Sequence, residues 1–124
     1  MPNEHSSRQY ELDLEAIRSR VLQMGGLVEK QFHDAMICFR TLDVKEAERI
    51  IAADEEVNKL EVQLDDACSH LIVKRQPAAN DLRTVMATIK IITDLERVGD
   101  EATKIARAAR ALHERGAVPI AHEE

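Results

Sequence analysis

Apolar residues recur at intervals of three and four from one end of this 124-residue chain to the other, interrupted by only four Gly and three Pro. That period belongs to α-helices buried along one face, and with so few breakers no other regular structure fits. Three long segments carry it. In residues 10–42 the stripe is Leu14, Ile17, Val21, Met24, Val28, Gln31, Ala35 and Cys38, with the Gly25-Gly26 pair as an internal weak point. In residues 44–75, Val57, Leu60, Leu64, Ala67 and Leu71 alternate strictly by three and four. Beside that seam runs a second stripe of Asp54, Asn58, Glu61, Asp65, Cys68 and Ile72, so acidic groups border the core instead of pointing fully away from it.

The third segment follows Pro77, which disfavours helical geometry at Gln76 and marks a boundary. Pro77 as the opening residue and Asn80 as the cap both fit the pattern. Its stripe is Leu82, Val85, Ile89, Ile92, Glu96, Gly99, Thr103 and Ala106. Short connections near Asp43 and Pro77 make consecutive helices antiparallel neighbours, so the predicted fold is all-α: an antiparallel three-helix bundle with rods of about 45 Å. The expected layout is a disordered N-terminus over residues 1–9, the bundle over 10–114, and a tail or linker over 115–124.

Charge and composition narrow the function. A net charge of −6 without clustered Lys and Arg argues against nucleic-acid binding, and 2% aromatic residues leave no platform for stacking bases. No apolar run reaches the roughly 20 residues needed to span a bilayer. The opening MPNEHSSRQYELDLE lacks the apolar centre of a signal peptide, so the expected location is cytoplasmic, with membranes reached only through a partner. Cys38 and Cys68 have no metal or redox spacing and fall near the apolar side of their segments, as small buried thiols do.

The chemistry concentrates in TDLERVGDEATKIA. Glu96 and Asp100 stand one helical turn apart on a face that is otherwise apolar, and carboxylates at that spacing repel unless a cation sits between them. If the second and third helices fold back about Pro77, residues equidistant from the turn lie opposite: Asn58 faces Glu96, and Asp54 faces Asp100, with Glu61 one turn further along. Oxygen ligands of this kind on facing helices suit Mg²⁺, Ca²⁺ or Mn²⁺, and also iron or zinc when other ligands complete the shell. The same patch also fits an ordinary ion-pair network closed by Arg97, Lys59 or Lys104. His33, His70 and His113 lack metal-type spacing, there is no Gly-rich phosphate loop, and no serine sits in a nucleophile elbow, so nothing marks an enzyme.

Four stretches taken in order, MGGLVEKQ from Met24, DEEVNKLE from Asp54, RQPAANDLR from Arg75 and DLERVGDEATKIAR from Asp94, resemble the PhoU phosphate-uptake regulators over nearly the whole chain. The resemblance implies a three-helix PhoU domain that is not an enzyme and represses the phosphate regulon when phosphate is ample. It also implies two partners: the ATPase of a phosphate ABC transporter and a membrane-bound sensor histidine kinase. The family's paired acidic motif, a carboxylate followed four residues later by Asp, bears metal in some members. Glu96 with Asp100 matches it, whereas Asp54 with Asn58 departs from it by carrying a neutral amide. Typical members hold two bundles in tandem, and a homodimer of this chain would rebuild that shape. The alternatives are a general helical adaptor that binds a basic partner, and a metal-storage or metal-transport bundle with no phosphate role.

Overall fold

The structure, a computed structural model, describes residues 4–120. It consists of α1 (Glu4–Thr41), α2 (Val44–Arg75) and α3 (Ala79–Glu114), and each helix packs against both others. The helix expected from residue 10 starts at Glu4, so residues 4–9 are helical and not disordered. Tyr10 helps to hold this early turn: its ring is buried and its hydroxyl donates to the Asp81 carbonyl at 3.1 Å, joining the start of α1 to the start of α3.

Both tight connections reverse the chain through a left-handed residue that is not glycine. Leu42 has φ 55° and its amide bonds the Cys38 carbonyl at 2.7 Å. Such a conformation costs about 1–2 kcal/mol, and burial of the Leu42 side chain offsets it. Asp43 then caps α2, its carboxylate accepting from the Glu46 amide at 3.2 Å. At the other end Gln76, with φ 45°, closes α2 by donating to the Ile72 carbonyl. Pro77 lies outside α3 and neither it nor Asn80 is the cap; Ala78 holds that position without a side-chain bond.

The core has two parts of different grain. Towards the α2–α3 turn it is built from large side chains, among them Met24, Val28, Leu64, Leu71, Val85 and Ile92. Towards the α1–α2 turn it is dominated by small ones, with Ala35, Ala47, Ala102, Ala106 and Ala109 around Ile50 and Cys38. Cys38 and Cys68 are free thiols buried in separate parts. After α3 the chain does not fray at once. The Ala117 amide bonds the Leu112 carbonyl, and the Ile120 amide reaches the Arg40 carbonyl at 2.9 Å, bringing this segment back to the end of α1. The rest of the expected tail, 121–124, lies outside the described residues.

Candidate functional site

Between the two parts of the core lies a polar layer. Gln31 of α1 is 5% exposed, and its Nε2 donates to Asp54 Oδ1 on α2 at 3.1 Å and to Thr103 Oγ1 on α3 at 3.3 Å. Thr103, itself buried, donates to the Gly99 carbonyl at 3.1 Å. One amide therefore ties all three helices at a single level. Gly99 is what lets α3 come this close. A methyl in place of its hydrogen would lie 3.1 Å from Gln31 Oε1, 3.3 Å from Asp54 Oδ1 and 3.4 Å from Val57 Cγ1. The Gln31 Oε1 acceptor is buried there without a hydrogen-bond partner.

From this layer the acidic edge of α2 and α3 extends outward. Asp54 reaches Gly99, the neighbour of Asp100, close to the pairing read from the turn. Two turns on from Asp54, Glu61 is half-buried within reach of the Glu96 charge. Burial pushes the Glu61 carboxyl above its ordinary range, with the Glu96 and Asp65 charges adding to the effect. Asn58 stays exposed, on the rim of a shallow depression on the outside of α2. Three residues of α-helix rotate a side chain by about 300°, so Asn58 points about 60° further round the helix than Glu61 and misses α3.

Asp100 belongs to an ion-pair cluster, 3.4 Å from Lys104, which also lies 3.2 Å from Glu101. Among the described residues no Lys or Arg pairs with Glu61, Glu96 or Asp54. The donors left over are carboxylate oxygens and one amide, a set that suits hard cations. Yet among the described residues no group of three or more His, Cys, Asp or Glu side chains converges to hold a metal ion, so the bundle offers an acidic edge and not a closed coordination sphere. The layer residues Gln31 and Thr103 were legible as polar interruptions of apolar stripes; the contact between them was not.

The remaining motif, RQPAANDLR, does local structural work. Arg75 Nε bonds Asp13 Oδ2 at 2.9 Å, clamping the end of α2 to α1, and this bond is the main reason the Asp13 carboxyl titrates below its ordinary range. No helix among the described residues is long and apolar enough to cross a membrane.

Comparison with known proteins agrees with this architecture. The PhoU domain family matches residues 21–109. The phosphate-specific transport system accessory protein PhoU homolog of a Burkholderia species is 49% identical over 119 residues, covering 96% of this chain and 51% of that protein. PhoU of Escherichia coli K12, bearing the same accessory-protein description, is 49% identical over 107 residues, covering 86% of this chain and 44% of its own length. The crystal structure of PhoU from Pseudomonas aeruginosa superposes with a TM-score of 0.83 at 43% identity, over 86% of this chain and 51% of that one. The chain thus spans about half the length of the relatives it matches. A family match over most of the three helices, identities near one half, and a shared bundle geometry establish that this chain belongs to the PhoU domain family.

Proposed function

We propose that the chain serves as a PhoU-type accessory component of phosphate-specific transport, a non-enzymatic cytoplasmic regulator that restrains the phosphate regulon when phosphate is ample. In this reading it links the ATPase of a phosphate ABC transporter to a sensor histidine kinase and meets the inner membrane only through them. The observation that carries it is the 49% identity, sustained over 96% of the chain, to a protein described as a phosphate-specific transport system accessory protein. Removing the chain from its host, with any longer homologue also absent, is expected to switch on phosphate-starvation genes in phosphate-rich medium. Continued repression there would eliminate the role and leave a general helical adaptor in its place.

A homodimer belongs to the same proposal. Phe32, Met36 and Phe39, spaced four and three apart on α1, are substantially exposed and offer a second copy an apolar surface. A monomer by sedimentation at micromolar concentration would remove it.

A second reading gives the α2–α3 edge a divalent or iron-type cation, held by Asp54, Glu96 and Asp100 with Glu61 in support; Asn58, expected from the sequence as a fourth ligand, is turned to the outside of α2 and is left out of the set. What favours it is that the Glu61 and Glu96 charges act on each other while, among the described residues, no Lys or Arg forms an ion pair with either. Water or groups from another chain would complete the shell, because three carboxylates do not converge within one bundle. Calorimetric titration with Mg²⁺, Mn²⁺, Zn²⁺, Fe²⁺ and Ca²⁺ tests it. Equal binding by the wild type and a Glu96→Gln, Asp100→Asn double variant would refute the assignment.

A further inference from the structure

On the α1–α2 face, away from the α2–α3 acidic edge, the two helices leave a groove of about 300 Å³ between them. Its floor is apolar, formed by Ile17 and Leu71, which are 4% and 1% exposed. Its rim holds two guanidinium groups and an imidazole, Arg20 from α1 with His70 and Arg75 from α2, against a single carboxylate, Asp13. In a chain with a net charge of −6, this local excess of cationic and donor groups is out of character.

The partners of these side chains show which of them are committed. Arg75 spends its Nε on Asp13, which fixes the plane of the guanidinium, and among the described residues its terminal nitrogens make no hydrogen bond. Arg20 and His70 have no ion-pair partner among the described residues, and both are exposed. Donors therefore approach the groove from both helices, over an apolar floor. A planar carboxylate is satisfied by one guanidinium fork, whereas a tetrahedral oxyanion presents oxygens in several directions and carries the charge to meet two forks.

We propose that this groove binds a phosphoryl group, held by Arg20, His70 and Arg75 above the floor of Ile17 and Leu71. The group is carried either by free inorganic phosphate or by a phosphomonoester whose organic part covers the apolar floor. The inference rests on the chemistry of the groove and is independent of any role in phosphate transport.

The test is an amide chemical-shift titration of the whole chain with inorganic phosphate and, separately, with phenyl phosphate, at constant ionic strength and with sodium chloride as the blank. Saturable shifts are expected at Ile17, Arg20, Ala67, His70 and Leu71. Arg20→Ala and His70→Ala should each weaken binding by roughly tenfold, the loss of about one charge-assisted hydrogen bond. Both side chains are exposed, so neither variant threatens the fold. Tighter binding of phenyl phosphate assigns the ester, and equal binding assigns the free ion. Shifts reproduced by sodium chloride, or an affinity unchanged in Arg20→Glu, would overturn the proposal.

Discussion

Replacing Gly99 by Ala sets two effects of known sign against each other. Inside a helix Ala is favoured over Gly by about 1 kcal/mol, so on propensity alone the variant should be more stable. The new methyl, however, would sit 3.1 Å from Gln31 Oε1 and 3.3 Å from Asp54 Oδ1, closer than an unstrained carbon–oxygen contact. Gln31 cannot swing aside freely, because its Nε2 is bonded to both Asp54 and Thr103. Each of those bonds contributes about 0.5–1.5 kcal/mol, and overpacking of this kind costs about 1–3 kcal/mol. The crowding outweighs the propensity gain, and a net loss of about 1–2 kcal/mol is expected, a fall in Tm of several degrees for a domain of this size. Gly25→Ala and Gly26→Ala are the internal controls: apart from the local helix backbone, nothing lies within 4 Å of either new methyl, so each should gain up to about 1 kcal/mol. Thermal and urea unfolding followed by far-UV circular dichroism read all three. In a Gln31→Ala background the penalty at Gly99 should largely vanish, giving a coupling of about 1 kcal/mol or more. If Gly99→Ala raises Tm as much as Gly25→Ala does, the close approach at the polar layer is wrong.

Two further perturbations probe the core and the acidic edge. Leu64 is fully buried in the large-residue part of the core. Leu64→Ala should cost about 2–5 kcal/mol, and an unchanged urea midpoint would remove Leu64 from the core. At the edge, the Glu61 carboxyl titrates above its unfolded value, so the folded state is penalised at neutral pH and recovers as the pH falls through the folded and then the unfolded pKa. Glu61→Gln should therefore stabilise by a few tenths of a kcal/mol near pH 7. That gain should shrink to nothing below about pH 4, where the wild-type side chain is neutral in both states. A Tm difference that stays constant between those limits would show that folding does not raise the Glu61 carboxyl.

The three helices, their order and their inward faces could be read from the period of the apolar residues, because a helix that buries one stripe must repeat that stripe every 3.6 residues. The same period placed Gln31, Gly99 and Thr103 on inward faces, and the fold-back about Pro77 predicted that Asp54 lies opposite this part of α3, where it reaches Gly99. What the one-dimensional pattern lacks is the rotation of each helix about its own axis and its distance from its neighbours. Those two quantities are set jointly by every side chain in the interface. They decided that Glu61 is half-buried within reach of the Glu96 charge while Asn58 stays exposed, and that Gln31 spans three helices at the level where Gly99 admits it. Tertiary packing alone likewise assembled the rim of Arg20, His70 and Arg75, since residues 50 or more positions apart in sequence share a surface only after α2 has folded back along α1. Local physics wrote the elements into the sequence, whereas the sites are properties of the contacts between elements, and those exist only in the assembled bundle.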